Sequence, residues 1–153
     1  MNSLFLGKKI ILFHTFILIC CTSFANVDLL TQARNLQREG KYDKAINAFK
    51  NILQQKKEND LPKQELVMYT EALVQLMNTY QSIGEPEACV ITLQEIYKTT
   101  PILQKQCLRD YYSVMGYALS RTEKMKEAEE MSLRAFTIPL SNDTPERYFR
   151  DYA

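Results

Sequence analysis

The chain has 153 residues, and its 19 lysines and arginines nearly balance its 18 aspartates and glutamates. This balance argues against a nucleic-acid-binding protein, which needs a basic face to neutralise phosphates. The single histidine, His14, lies in an N-terminal leader, so the rest of the chain cannot form a Ser-His-Asp or Cys-His arrangement or a histidine metal site. We therefore predict a protein that is not an enzyme, with no catalytic residues, no cofactor and no metal site.

Residues 1–25 have the layout of a secretory signal peptide. Lys8 and Lys9 precede an apolar run over residues 10–21, and Ser23-Phe24-Ala25 places small residues before a cleavage point. The run is shorter than the roughly 20 residues that span a bilayer, which favours a signal peptide over an uncleaved anchor. We expect an exported protein, periplasmic or secreted, with membrane association as the alternative. No later run approaches transmembrane length, so no membrane insertion of the mature domain is expected.

The rest of the chain is rich in helix-forming residues and lacks the alternation that is typical of strands. Apolar residues recur at three- and four-residue steps, which predicts amphipathic helices. A polar connector is expected at Lys57–Asp60, and Thr100 is expected to cap the fifth helix. Six helices are predicted at about Val27–Glu39, Asp43–Lys56, Pro62–Ser82, Pro86–Lys98, Pro101–Ser120 and Lys124–Thr137.

The helices pair into three hairpins, at about residues 27–56, 62–98 and 101–137. Placing Ala45, Cys89 and Ala128 in one column aligns the three hairpins, with spacings of 44 and 39 residues between these anchors. Two columns precede the anchors: Gly40, Gly84 and Glu123 stand five residues earlier, and Leu36, Tyr80 and Leu119 stand nine residues earlier. Two columns follow the anchors: Phe49, Leu93 and Ser132 stand four residues later, and Leu53, Tyr97 and Phe136 stand eight residues later.

These columns resemble the tetratricopeptide repeat (TPR) family, whose unit of about 34 residues repeats small and large apolar residues at set positions. The sequence departs from the family in two ways. The spacings between the anchor residues are longer, and Pro86 and Ser132 stand where the family has aromatic residues. The residues that carry the resemblance are Leu29, Ala33, Leu36, Gly40, Tyr42, Ala45, Phe49 and Ile52, then Leu73, Leu76, Tyr80, Gly84, Leu93, Ile96 and Pro101, then Tyr112, Met115, Gly116, Leu119, Ala128 and Ala135.

The resemblance implies an all-α fold in which residues 26–140 form a right-handed α-solenoid of about three TPR-like hairpins. A generic helical bundle is the alternative. In such a stack the first helix of each hairpin lines a concave surface, where family members typically bind peptides or protein segments. Carried over by position, the groove-facing residues are Leu30, Arg34, Gln37, Val74, Asn78, Gln81, Ser113, Tyr117 and Arg121.

The groove-facing residues offer amide groups, two cations and one aromatic ring, which suit an extended peptide with some acidic character. The lysine-rich pattern of the chaperone-tail clamp found in some relatives is missing, so we do not expect that partner. The sequence thus predicts an exported protein–protein interaction scaffold with a protein or peptide partner.

Residues 141–153 read as a turn and an incomplete terminal helix that carries Tyr148, Phe149 and Tyr152. This pattern predicts a cap, a continuation of the chain or a partner at the C-terminal end. It also supports an alternative function: the N-terminal sensor region of a larger membrane-associated signalling protein, a histidine kinase or a transcriptional regulator, truncated here.

After the leader only Cys89 and Cys107 remain, too few for a structural zinc site by themselves. A disulfide between them is conceivable in an oxidising compartment, but the cysteines lie near the starts of neighbouring antiparallel helices. The starts of two antiparallel helices lie at opposite ends of the pair, so this arrangement does not favour a disulfide between Cys89 and Cys107. Most tyrosines fall at core spacing, whereas Tyr117 is the exception.

Overall fold

The computed structural model describes residues 28–55 and 61–139. Within these ranges the chain forms seven helices and no strand, so the predicted all-α class is confirmed. The predicted signal peptide, the connector Lys57–Asp60 and the predicted turn and helix of residues 141–153 lie outside the described residues. The helices are α1 (28–38), α2 (Tyr42–Leu53), α3 (Lys63–Ser82), α4 (Pro86–Thr99), α5 (Pro101–Lys105), α6 (Leu108–Ser120) and α7 (Met125–Thr137).

Glycine closes the first helix of two hairpins. Gly40 and Gly84 have φ angles of 70° and 74°, in the left-handed region that residues with a Cβ rarely adopt. The N–H of the residue after each glycine donates to the carbonyl five residues earlier, at 2.9 and 3.0 Å. This Schellman arrangement satisfies carbonyls that the helix end would leave without a partner. The two glycines of one sequence column therefore perform the same structural role.

The third hairpin turns without glycine. Glu123 occupies the glycine column, and no residue other than glycine in the described ranges has a positive φ. Instead, the N–H groups of Arg121 and Thr122 donate to the carbonyls three residues earlier, at 3.2 and 3.0 Å. The Thr122 hydroxyl also donates to the Leu119 carbonyl at 2.8 Å. A tightened last turn thus replaces the left-handed residue.

The second helix of each hairpin begins with the same backbone geometry. The residue before it has a ψ angle of 59°, 61° or 52° in the three hairpins. Its carbonyl accepts the N–H of the buried anchor residue four positions later, at 3.0, 3.2 and 3.0 Å. The pairs are Lys41 with Ala45, Glu85 with Cys89 and Lys124 with Ala128. Residues aligned by sequence therefore share a local structure.

Helices α3 and α6 carry most of the contacts between hairpins. Helix α3 packs against α2, α4 and α6, and α6 packs against α3, α4, α5 and α7. Burying an aliphatic or aromatic side chain contributes roughly 1.5–3 kcal/mol, and α3 and α6 carry more buried residues than the other helices do. The largest fully buried apolar side chains are Tyr69, Phe49, Ile52, Leu53, Leu73, Leu76, Met77, Leu93, Ile96 and Leu103.

The predicted fifth helix, Pro101–Ser120, is wrong as a single helix, because the chain breaks at Gln106 and Cys107 between α5 and α6. The Gln106 side-chain oxygen accepts the N–H of Leu61 at 2.9 Å, and Cys107 is buried. This contact joins residues 45 positions apart, so helical periodicity alone could not indicate it.

Thr100 precedes α5 as predicted, but its hydroxyl does not cap that helix. The hydroxyl donates instead to the carbonyl of Leu53, the last residue of α2, at 3.1 Å. Helix ends leave carbonyls without an internal partner, and a buried one requires a donor from elsewhere. Thr100 therefore joins the end of the first hairpin to the start of α5.

None of the helices within residues 28–55 and 61–139 has both the length and the hydropathy required to cross a membrane.

Candidate functional site

Two predicted groove residues of α1 contact α3. The Arg34 guanidinium forms an ion pair with the Glu71 carboxylate, which is largely buried. The Gln37 amide donates to the Thr79 hydroxyl at 3.0 Å, and that hydroxyl donates to the Gln75 carbonyl of its own helix at 2.7 Å. The charge of Arg34 is thus compensated within the protein, and Gln37 is held against the neighbouring helix.

Three further predicted residues meet at the junction of α3 and α6. The Tyr117 phenol oxygen accepts a hydrogen bond from Arg121 at 2.7 Å, and the Arg121 guanidinium carbon lies 5.1 Å from the centre of the tyrosine ring. Gln81 also hydrogen-bonds to this phenol. The hydrogen bonds from Gln81 and then from Arg121 lower the pKa of Tyr117, because both stabilise the phenolate. The structure therefore brings Gln81, Tyr117 and Arg121 together.

The remaining predicted groove residues divide into two groups. Asn78 is half-buried on α3, three residues before Gln81, and Ser113 is half-buried on α6. Leu30 and Val74 have exposed fractions of only 7% and 8% and belong to the hydrophobic core. The aliphatic members predicted for the groove are therefore core residues, because burial of apolar area outweighs their position on the first helices.

We define the polar strip as Arg34, Gln37, Glu71, Thr79, Gln81, Tyr117 and Arg121. It links α1 to α3 and α3 to α6 through contacts between side chains. Glu71 and Thr79 are buried members of the strip, whereas the other five side chains reach the surface with amide, phenol and guanidinium groups that can hydrogen-bond to a ligand.

A buried polar cluster was missed by the sequence reasoning. The Thr70 hydroxyl donates to the Asp110 carboxylate at 2.8 Å, and the other carboxylate oxygen has no hydrogen-bond partner. Burial raises the pKa of Asp110, and burial raises that of the neighbouring Cys107 thiol to about 12. One signal was present: Asp110 stands in the apolar stripe between Cys107 and Val114. A thiol with such a pKa is not a nucleophile at neutral pH.

The tyrosines and cysteines largely follow the predicted packing roles. Tyr69, Tyr80 and Tyr111 are buried, and the rings of Tyr97 and Tyr111 stack with centroids 4.4 Å apart. Cys89 and Cys107 are both free and buried. They form no bridge, as the antiparallel arrangement predicted.

A second feature lies between α6 and α7, where a cleft of about 640 Å³ opens to the surface. The Phe136 side chain at its edge has an exposed fraction of 83%, and that of Met125 is 62%. Ser113 and Tyr117 of α6 also line the cleft. Tyr117 therefore belongs both to the polar strip and to this cleft.

Within residues 28–55 and 61–139 no three His, Cys, Asp or Glu side chains are grouped as they would be to hold a metal ion. No protein-family model, curated protein or solved structure matches this chain. The helices themselves show the fold class, and the polar strip is the main observation that bears on function.

Proposed function

We propose that the mature chain is an exported protein–protein interaction scaffold that binds a peptide segment along the polar strip. The observation that carries this proposal is the set of side-chain contacts that link α1 to α3 and α3 to α6. These contacts hold the donor groups in position before a ligand arrives, which reduces the conformational entropy lost on binding.

The proposed architecture is a right-handed α-solenoid of the TPR type. The packing of α2 on α3 and of α4 on α6 supports it, because each second helix then contacts the first helix of the next hairpin. The contact between α3 and α6 also supports it, since neighbouring first helices would form the concave surface.

The charges along the strip suggest the orientation of the ligand. Arg34 is neutralised by Glu71, whereas Arg121 is exposed and bonds to an uncharged phenol. We therefore place an acidic residue of the peptide at the Arg121 end. The lowered pKa of Tyr117 makes its hydroxyl a stronger donor to a peptide carbonyl or carboxylate. Asn78 and Gln81 would bond to the peptide backbone.

A displayed library of random peptides, selected on the purified mature chain, tests the proposal. We expect the selected peptides to be enriched in Asp and Glu. Their affinity should fall about tenfold in R121Q, since losing one exposed charge-assisted contact corresponds to roughly 1.4 kcal/mol. Asn78→Ala and Tyr117→Ala should weaken binding similarly, as measured by calorimetric titration.

The matched controls are Ile91→Ala and Lys98→Ala, at exposed positions of α4 away from the strip. These variants should bind the selected peptides like the unchanged chain. Equal affinities for the strip variants and the controls would overturn the proposed site, as would a selection that enriches no peptide.

Export is the second part of the proposal, and the leader sequence supports it. Expression of the full chain in a bacterial host with secretion machinery should give a product that begins at Asn26 and is recovered outside the cytoplasm. Intact mass measurement of the fractionated protein checks this prediction. A product that keeps residues 1–25 would contradict cleavage.

A further inference from the structure

Two of the large apolar side chains in the described residues are more exposed than all the others, and both lie at the cleft between α6 and α7. Phe136 has an exposed fraction of 83% and Met125 one of 62%. In the first two hairpins the column of Phe136 holds Leu53, which is fully buried, and Tyr97, which is half-buried. Exposed apolar residues grouped in one place commonly mark a binding surface.

The lining of the cleft combines small buried residues with these large exposed ones. Gly116 of α6 and Ala128 and Ala135 of α7 are buried and line it together with Phe136 and Met125. Its volume of about 640 Å³ falls within the roughly 300–1,000 Å³ that ligand pockets occupy. A cleft of this size and lining suits a large apolar side chain of a ligand.

Tyr117 joins the cleft to the polar strip. Its side chain lines the cleft, and its phenol oxygen accepts the hydrogen bond from Arg121 at 2.7 Å. Ser113, one helical turn before Tyr117, also lines the cleft. A peptide that reaches Arg121 along the strip therefore lies beside the cleft.

The length of α6 between the two places sets a spacing in the peptide. Gly116 lies in the middle of the α6 residues that line the cleft, and Arg121 follows it by five residues. Five helical residues rise about 7.5 Å, at about 1.5 Å each, and an extended peptide covers that distance in about two residues, at roughly 3.3 Å each. Side chains two residues apart in an extended chain point to the same side, so both can face the protein.

We infer that the peptide bound along the polar strip places a large apolar side chain in the cleft between α6 and α7, two residues away from the acidic side chain at Arg121. The inference rests on the proposed peptide binding and names a second feature of the ligand. Phe136, Met125 and Tyr117 surround the apolar side chain. Its burial against them strengthens binding, because apolar surface of both partners leaves water.

Peptides selected from a displayed random library on the purified mature chain give the first readout. We expect Leu, Met, Phe or another large apolar residue to be enriched two positions away from the enriched Asp or Glu. The tightest-binding peptide, made synthetically, is the probe for calorimetric titration. Two altered versions accompany it: one has the acidic residue changed to its amide, and the other has the apolar residue changed to alanine.

Phe136→Ala and R121Q should each lose one feature of the peptide. Phe136→Ala should weaken binding of the probe roughly tenfold, but that of the apolar-to-alanine version less than about twofold, because that version has no side chain left to place against Phe136. R121Q should weaken the apolar-to-alanine version roughly tenfold and leave the amide version nearly unchanged.

Leu133→Ala is the matched control for Phe136→Ala. Leu133 lies on the same helix with an exposed fraction of 59%, but it does not line the cleft. The Leu133→Ala variant should bind the probe like the unchanged chain. Both variants remove an exposed side chain, so their circular dichroism should match that of the unchanged chain.

The possible results separate this inference from the proposed function. Acidic peptides whose binding depends on Arg121 but not on Phe136 would overturn the inference and leave the proposed peptide site intact, as would equal weakening by Phe136→Ala and Leu133→Ala. Binding that depends on Phe136 but not on Arg121, or a selection that enriches no peptide, would overturn the peptide site along the polar strip and this inference with it.

Discussion

At the scale of single residues, Asp110 is the least expected feature of the core. Its carboxylate is buried between α3 and α6, where Thr70 donates to one oxygen and the other has no partner. Desolvation raises the pKa of Asp110, and the hydrogen bond from Thr70 and the charge of Arg109 oppose that increase without cancelling it. A buried ionised carboxylate that keeps a raised pKa destabilises the folded state at neutral pH.

The sign of the pH dependence follows from this shift. The folded state binds the Asp110 proton more tightly than the unfolded state, whose pKa is near 3.8. Stability therefore falls as the pH rises from the unfolded pKa to the folded pKa, and stays lower above it. We expect Asp110→Asn to gain stability relative to the unchanged chain as the pH rises from 4 to 7. Urea unfolding across this range measures the difference; a difference that does not change with pH would contradict the assignment.

Thr70→Val tests the hydrogen bond to the same carboxylate. At pH 7 the substitution should lower the free energy of unfolding by roughly 2–3 kcal/mol, because a charged acceptor loses a donor. The matched control is Thr92→Val, whose hydroxyl bonds to the uncharged Tyr80 phenol at 2.9 Å in another buried site. That control should lose only about 1 kcal/mol. Equal losses at pH 7 would contradict the presence of a charged acceptor at Asp110.

At the scale of helices, α6 and α7 approach closely because position 116 is glycine. A Cβ at Gly116 would lie 2.7 Å from the Ser132 hydroxyl oxygen, 3.2 Å from the Ala128 carbonyl and 3.2 Å from the Ser132 amide nitrogen. The resemblance to TPR repeats predicts an aromatic residue at position 132, but the small Ser132 stands there and matches Gly116 across the interface.

Gly116→Ala should therefore be destabilising. Alanine favours the helix by about 1 kcal/mol over glycine, but overpacking opposes this with about 1–3 kcal/mol, so we expect a net loss of roughly 1 kcal/mol or slightly more. Thermal and urea unfolding measure it.

The paired variant G116A/S132A separates the two contacts that cause the loss. Removing the hydroxyl relieves the 2.7 Å contact and leaves the two backbone contacts, so part of the stability should return. Ser132→Ala alone should be nearly neutral, since its hydroxyl bonds only within α7, to the Ala128 carbonyl at 2.9 Å. An unaltered or increased stability of G116A would show that the helices separate freely.

At the scale of the whole molecule, the hairpins share one hydrophobic core. Buried side chains from α2, α3, α4 and α6 belong to a single cluster, and Thr100 and Gln106 add hydrogen bonds between distant segments. A core shared in this way predicts that the described domain unfolds as one cooperative unit.

The two buried thiols report on that cooperativity. Burial raises the pKa of both Cys89 and Cys107 from 9.0 to about 12, which lowers the thiolate fraction about a thousandfold at neutral pH. Modification by a thiol reagent should therefore proceed through unfolding. Leu73→Ala, at a fully buried position of α3, should destabilise by about 2–5 kcal/mol and accelerate both reactions by about thirtyfold or more.

Mass spectrometry of the labelled peptides resolves the two sites. The control is Ile91→Ala, which removes an exposed side chain and should leave both rates unchanged. Acceleration at one cysteine alone would show that the hairpins unfold separately.

The sequence by itself determined the all-α class, most of the helix bounds and the turns at Gly40 and Gly84. These features depend on local causes: helical periodicity brings apolar residues to one face, and only glycine enters the left-handed region easily. The resemblance to TPR repeats also predicted Gln81, Tyr117 and Arg121 for one groove, and the structure brings these three side chains together.

Only the tertiary structure decided which side chains separated in sequence meet each other. It paired Arg34 with Glu71, turned the Thr100 hydroxyl toward α2, broke the predicted fifth helix beside Gln106 and placed Asp110 in the core. It also left Phe136 exposed where equivalent residues are covered. These outcomes depend on desolvation and on hydrogen bonds between distant segments, and a periodic pattern along one helix carries no information about them.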